Sequence, residues 1–161
     1  MKVEARDEHR WLQRLIGTWT YEGDCDMGPD QPRWKSQGRE QVRPLGEAWV
    51  VAEGEGEMPG GGAAGTMLTL GYDPQRKRFV GTWIGSMMTH LWVYEDGSLD
   101  EAGKVLTLSA EGPSMAGDGG MASYQDLVEL VSDDHRVLRS RVRHDDGTWH
   151  EFMRADYRRA E

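Results

Sequence analysis

The spacing of apolar residues changes once along the chain, close to Gly17. Before that point the segment 7–16 (DEHRWLQRLI) repeats its apolar residues at helical spacing. The residues on this face are Trp11, Leu12, Leu15 and Ile16. The pattern predicts a short amphipathic helix that Asp7 caps and Gly17 ends. Because a helix this short is not stable alone, we expect its apolar face to cover one end of the remaining fold.

After Gly17 apolar and polar residues alternate in runs separated by turn sequences rich in Gly, Pro and Asp. Alternation predicts half-buried strands, and connections this short leave no room for crossover helices. Ten strands are predicted, at residues 18–27, 34–43, 48–57, 66–72, 78–85, 88–95, 105–111, 121–132, 136–144 and 148–158. About ten antiparallel strands favour an up-and-down barrel, because closure removes exposed edges. We therefore predict an all-β barrel that forms a single domain over residues 1–161.

Composition and charge limit the classes of molecule that we expect this protein to bind. The chain has 161 residues and a net charge of −9, a field that repels nucleic-acid phosphates. Arginines cluster towards the C-terminus, and we interpret them as a solvated face. They are Arg136, Arg139, Arg141, Arg143, Arg154, Arg158 and Arg159. No signal peptide and no membrane-length apolar run is recognisable, so we expect a cytoplasmic protein without a membrane partner.

Two features that can indicate catalysis or cofactor binding are interpreted otherwise. Cys25 is the single cysteine and excludes an internal disulfide; Asp24 and Asp26 beside it raise the thiol pKa, so a nucleophile is not expected. The segment 60–65 (GGGAAG) matches a dinucleotide fingerprint, but a strand-like run follows it where a helix is required. We predict a mobile hairpin loop there.

The candidate site is the inside of the barrel. Seven tryptophans against two phenylalanines can fill a core or line a cavity. In the strand 48–57, Trp49, Val51 and Glu53 share a face, and the apolar pair indicates that this face is the interior. In the strand 88–95, His90 shares its face with methionine and tryptophan, and Trp83 is core or pocket wall. The predicted cavity residues are Trp49, Glu53, Trp83, Met88, His90 and Trp92.

These residues leave several functions open. The leading hypothesis is a binding protein that holds a small, mostly apolar ligand inside the barrel. The alternative is an enzyme that uses Glu53 or His90 as acid or base in the same cavity. A heme-binding barrel with His90 as the iron ligand ranks below both. No metal is expected, since no histidine pair has zinc-ligand spacing, no other cofactor is expected, and a homodimer is left open.

Several strings together resemble one known family. The chain carries HRWL and LIGTW near its start, EGEGEM, LGYDPQRKRFVGTWIGSM and LTLSAEGP, and ends at Phe152-Met153 and Tyr157. It is similar over nearly its whole length to the family catalogued as domain of unknown function 1579. That resemblance implies a calycin-like barrel, of the lipocalin and fatty-acid-binding class, and carries no catalytic residue.

A second resemblance concerns the GxWxGxG entry motif of nitrobindin-type heme barrels. Gly17, Trp19 and Gly23 match this motif, but Tyr21 replaces its middle glycine. The departure weighs against heme.

Overall fold

A computed structural model describes residues 2–160 as one short helix followed by ten antiparallel strands. The elements are α1 (Asp7–Gln13), β1 (Gly17–Cys25), β2 (Trp34–Leu45), β3 (Trp49–Glu57), β4 (Ala63–Asp73), β5 (Arg78–Gly85), β6 (Trp92–Leu99), β7 (Val105–Pro113), β8 (Met121–Ser132), β9 (His135–Arg143) and β10 (Trp149–Arg159). No helix within this part of the chain is long and apolar enough to cross a membrane. The predicted all-β architecture is confirmed.

The strands form one closed up-and-down barrel. Each strand pairs with its neighbours in sequence, and β1 closes the sheet by pairing with β10, with Trp19 opposite Arg159 and Cys25 opposite Met153. Closure leaves no edge strand to be protected. We call the end covered by α1 the helix end. The opposite end, the loop end, carries the connections 26–33, 58–62, 86–91, 114–120 and 144–148.

Helix α1 lies across the helix end and bonds to the turns there. The Trp11 indole Nε1 donates to the Gly103 carbonyl at 2.7 Å, and His9 Nε2 lies 3.0 Å from the Tyr72 carbonyl oxygen. The apolar residues of the helix and the turn after it, Trp11, Leu12 and Leu15, join the barrel core. The predicted cover over one end of the barrel is therefore present.

The start of α1 differs from the prediction. Arg6 occupies the N-cap position, and its backbone N–H donates to His9 Nδ1 at 2.9 Å. Asp7 is the first helical residue, exposed and paired with Arg10, so the prediction that it caps the helix is wrong. His9 Nδ1 accepts a hydrogen bond while Nε2 faces a carbonyl, an arrangement that fits the neutral imidazole.

The sixth strand begins four residues later than predicted. Residues 86–91 form a loop because Ser86 folds back onto β4: its N–H donates to the Gly65 carbonyl at 2.8 Å, and its hydroxyl accepts from the Gly65 N–H at 2.9 Å. Met88 and His90 therefore lie in this loop, and the prediction that they are mid-strand residues is wrong.

The helix-end half of the interior is closed by large apolar side chains. The most deeply buried are Leu12, Trp19, Leu70, Phe79, Leu106 and Leu108, each at most 2% exposed. This apolar filling also contains a charged pair, Glu40 on β2 and Arg136 on β9. Both side chains are almost fully buried, so the charges have little access to solvent.

Arg136 is stabilised from three sides. Its guanidinium donates to the Glu40 carboxylate and lies between two rings, 4.8 Å from the Trp19 centroid and 4.0 Å from the Tyr157 centroid. The prediction that Arg136 belongs to a solvated arginine face is wrong. Position 136 has the opposite parity to Arg139 and Arg141, and residues of opposite parity on a strand face opposite sides of the barrel.

We expect Glu40→Leu to lower the free energy of unfolding by about 3 kcal/mol or more, because it leaves a buried guanidinium without its carboxylate. Urea unfolding followed by tryptophan fluorescence measures the change. Asp96→Ala breaks the exposed Arg78–Asp96 pair and serves as the control, with an expected loss below about 1 kcal/mol. Adding Arg136→Met to Glu40→Leu should restore part of the loss. Equal effects of the two single substitutions would contradict this account of the pair.

Candidate functional site

The loop-end half of the barrel interior is not closed in the way the helix-end half is. Several of its inward-facing side chains pack against the core but remain only partly buried. They are Tyr21, Leu68, Trp83, Trp92, Leu138 and Met153. Their partial exposure makes the loop end of the barrel interior the candidate site.

Four of the six residues predicted from sequence meet at this end. Trp83 on β5 and Trp92 on β6 are register partners, and both face inward. The Trp92 indole Nε1 donates to the Met88 sulfur at 3.0 Å, and the His90 ring meets Trp92 edge to face at 4.9 Å. Loop 86–91 thus packs its side chains on the Trp92 ring at the rim.

His90 is held at the rim by the backbone of β7. Its Nε2 lies 3.0 Å from the Glu111 carbonyl oxygen, so this nitrogen acts as the hydrogen-bond donor. When the neutral His90 ring carries its proton on Nε2, Nδ1 is the nitrogen that keeps a free lone pair. His90 therefore serves the structure first, by fixing the loop 86–91 against β7.

The structure places Trp49 and Glu53 on the outside of the barrel. Trp49 is 43% exposed with its ring over Gly71, and Glu53 is exposed and pairs with Arg43 at 3.4 Å. The prediction that they face the cavity is wrong because strand β3 begins with apolar residues on both faces. The small residues Ala52 and Gly54 are the ones that point inward.

Tyr21 fills part of the interior that glycines leave open. A Cβ at Gly38 would lie 2.5 Å from the Tyr21 hydroxyl oxygen, and one at Gly56 would lie 2.1 Å from it. The ring also packs against Tyr157, with centroids 5.0 Å apart. Tyr21 stands where the heme-barrel motif has glycine, and it narrows the cavity on this side.

Two open grooves lie on the outer surface. One, of about 600 Å³, crosses β2 to β5 and is lined by residues that include Arg39, Glu53 and Met67. The other, of about 960 Å³, crosses β10, β1 and β2 between residues that include Lys35 and Arg158. Both have charged walls in contact with solvent, which distinguishes them from the mainly apolar wall of the interior.

A carboxyl group lies inside the barrel on strand β8. Asp126 on β8 accepts hydrogen bonds from the Tyr94 hydroxyl at 2.5 Å and from the Ser140 hydroxyl at 2.5 Å. Burial raises the pKa of the Asp126 carboxyl, and the two hydroxyl donors offset part of that rise. The Asp126 carboxyl lies deep in the protein, at an inward-facing position of β8.

Asp126 differs from Glu40 in lacking a basic partner. Among residues 2–160, no arginine, lysine or histidine nitrogen lies within ion-pair distance of its carboxyl oxygens. An ionised carboxylate in this position is destabilising, because hydroxyl donors replace only part of its hydration.

Sequence reasoning missed Asp126, although a signal was present. Within strand β8 it shares parity with Tyr124, Val128 and Leu130, all of which are buried. A lone acidic residue among alternating apolar positions indicates an inward-facing charge. The same test applied to β9 identifies Arg136, which shares parity with Leu138 and Val142.

The Cys25 thiol is an unfavourable nucleophile, in line with the prediction. Burial raises the pKa of this thiol, and the neighbouring Asp24 carboxylate raises it further. Little thiolate is present at neutral pH as a result.

We expect Asp126→Asn to change how stability depends on pH. The folded pKa of Asp126 lies above its unfolded value of about 3.9, so its contribution to stability is complete below that pH and is lost as pH rises through the folded pKa. The variant lacks this titration. Its stability relative to wild type should therefore increase from pH 4.5 to pH 8 in urea unfolding.

Asp100→Asn is the control, because the pKa of Asp100 is shifted in the opposite direction from that of Asp126. Backbone N–H groups of Lys104 and Val105 lower the pKa of Asp100, so its contribution is present at neutral pH and is lost on acidification below the usual range. This variant should be less stable than wild type across pH 4.5–8, with no increase. A flat difference for Asp126→Asn would show that Asp126 titrates normally.

The fold is similar to solved β-barrels of very different sequence. Rv2717c from M. tuberculosis aligns with a TM-score of 0.66 at 13% identity, covering 98% of this chain and 100% of that chain. The S-type phycobiliprotein lyase CPES from Guillardia theta aligns with a TM-score of 0.60 at 12% identity, covering 97% and 94%. EF1p2_mFAP2b, solved bound to DFHBI, gives 0.51 at 14%, covering 94% and 98%. At these identities the similarity shows the fold alone.

The family assignment comes from sequence. A family model described as protein of unknown function (DUF1579) matches residues 4–159. The chain belongs to this family, as its sequence strings indicated, and the closed ten-stranded barrel agrees with the calycin-like fold implied by that resemblance. No curated protein matches the sequence.

Proposed function

We propose that this member of the DUF1579 family binds a small, mostly apolar molecule in the loop-end half of its barrel. One observation carries the proposal: several inward-facing aromatic and aliphatic side chains of that half remain partly exposed, whereas the largest fully buried side chains belong to the helix-end half. A concave, mainly apolar wall with a few polar groups is the usual form of a small-molecule site.

The wall combines residues predicted from sequence with others found in the structure. Trp83, Met88, His90 and Trp92 form its rim on β5, β6 and the loop between them. Tyr21, Leu68, Leu138 and Met153 form the deeper wall. This wall offers a wide aromatic surface near the entrance and aliphatic surface below it, which suits a ligand with a flat apolar body.

The solved barrels of this fold support the proposal indirectly. EF1p2_mFAP2b holds DFHBI, and CPES is a phycobiliprotein lyase. Those are properties of these proteins, and what carries over to the present chain is that a barrel of this fold can accommodate a small molecule.

The structure does not place the residues that motivated the enzyme and heme alternatives where those functions would need them. Glu53 points away from the interior, so it offers no acid or base inside the cavity. His90 donates to a backbone carbonyl at the rim. Tyr21 occupies interior space that a macrocycle would need. Ligand binding without turnover is therefore the function that the arrangement favours.

We expect the neutral fluorescent dye Nile red to bind wild-type protein with a blue-shifted emission, since its fluorescence responds to an apolar surrounding. Met153→Trp adds bulk to the inner wall and should weaken binding about tenfold or more, in line with the 1–3 kcal/mol penalty of overpacking. Fluorescence titration measures both affinities.

Met67→Trp is the matched control, because Met67 is the same residue type on the outer face. It should leave the affinity within about twofold of wild type. Thermal unfolding of each variant establishes that it is folded, and Leu138→Phe replaces Met153→Trp if the latter is not. Absence of dye binding by wild type, or equal losses from the inner and outer substitutions, would refute an interior site.

A further inference from the structure

We propose that Asp126 is the polar anchor of this cavity and that the ligand is an organic cation, a protonated amine on an apolar body. The proposal rests on the proposed function, since it assumes that the loop-end cavity is the binding site. It adds the charge and chemical class of the ligand, which fold and family leave open.

The hydrogen bonds around Asp126 present it as an acceptor. The Tyr94 and Ser140 hydroxyls each donate to a different carboxyl oxygen, both at 2.5 Å. Each oxygen of a carboxylate can accept two hydrogen bonds, so one acceptor position per oxygen remains. An ammonium group, which has only donors, is the natural complement to these two positions.

The charge balance inside the barrel also favours a cation when Asp126 is ionised. The Arg136 guanidinium is already matched by the Glu40 carboxylate, and its free side is covered by the Trp19 and Tyr157 rings. The ionised Asp126 carboxylate therefore leaves the interior with one negative charge in excess. A ligand ammonium would neutralise this charge in a region where unpaired charges are strongly unfavourable.

Two aromatic rings occupy the next inward-facing positions on the strands that carry Asp126 and its donor Tyr94. Tyr124 precedes Asp126 by two residues on the inner face of β8, and Trp92 precedes Tyr94 by two on the inner face of β6. The Trp92 and Tyr124 ring centroids lie 4.9 Å apart. Aromatic faces attract cations and also pack against apolar groups, so this pair can contact both parts of an amphiphilic amine.

An anionic ligand of the same shape is disfavoured by the same groups. Its carboxylate would approach Asp126 with like charge, and Arg136 is committed to Glu40. The net charge of −9 further favours approach of cations over anions. The site thus discriminates by charge between ligands that fit equally well.

The test uses three probes that share a naphthalene body: 1-naphthylmethylamine, 1-naphthalenemethanol and 1-naphthoate. Each competes with Nile red for the wild-type protein at pH 7. We expect the amine to displace the dye at a concentration about tenfold or more below that of the alcohol, and the acid to be the weakest. This ranking on wild type decides the proposal without any variant.

Variants then locate the preference. Asp126→Asn should bring the amine and the alcohol to equal potency, each measured against the Nile red affinity of the same variant. Glu53→Gln removes one acidic charge from the outer face and should leave the preference intact. If Glu53→Gln removed as much preference as Asp126→Asn, the overall negative field would be the cause and the proposal would be wrong.

The pH dependence gives a second readout. Because burial raises the pKa of Asp126, the amine preference should decline on acidification at a pH above the usual aspartate range. The other groups facing Asp126 are the Tyr94, Ser140 and Tyr157 hydroxyls, with the Glu40–Arg136 pair beyond Tyr157. Burial also raises the pKa values of Tyr94 and Tyr157, so both stay neutral across pH 5–8.

The outcomes separate this inference from the proposed function. If Nile red binds but the alcohol equals the amine, or the acid binds best, the cavity binds ligands and the cation assignment is wrong. If Nile red and all three probes fail to bind, the proposed function itself fails. A tenfold amine preference that Asp126→Asn abolishes supports both.

Discussion

The width of a ten-stranded barrel is the constraint on which the rest of the structure depends. Eight strands enclose about the space that side chains can fill, and two more strands leave an excess. At the helix end this excess is filled from outside by α1, which inserts Trp11, Leu12 and the adjoining Leu15 beneath the turns. At the loop end the inward-facing side chains stay accessible. The proposed cavity therefore follows from the geometry of the sheet and from the placement of a single helix.

The charged groups inside the barrel differ in how they are stabilised. The Glu40–Arg136 pair is satisfied by its own charges and by the rings of Trp19 and Tyr157, so it belongs to the architecture. Asp126 has only hydroxyl donors. A buried carboxyl group without a basic partner lowers stability, and residues of this kind concentrate at functional sites. This contrast between the two acidic residues is the ground on which we propose a functional role for Asp126.

The sequence predicts the strands well because alternation and turn residues are local signals. All ten predicted strands and the covering helix are present, although β6 begins four residues later than predicted and α1 ends at Gln13. The errors occur where local signals are ambiguous. The run Trp49-Val50-Val51-Ala52 is apolar on both faces of its strand, so alternation alone does not show which side of the barrel Glu53 faces. The loop that contains His90 depends on contacts between Ser86 and Gly65 that are distant in sequence. Asp126 was within reach of parity reasoning, but its hydroxyl donors come from two other strands.

A crystal structure with 1-naphthylmethylamine bound tests the central claim most directly, because it locates the ligand and its charged group together. This account predicts the naphthalene ring in the loop-end cavity against Trp92 and Tyr124, with the ammonium nitrogen within about 3 Å of an Asp126 carboxyl oxygen. Ligand seated in the outer groove beside Glu53, or a loop-end interior filled by protein side chains, would contradict it.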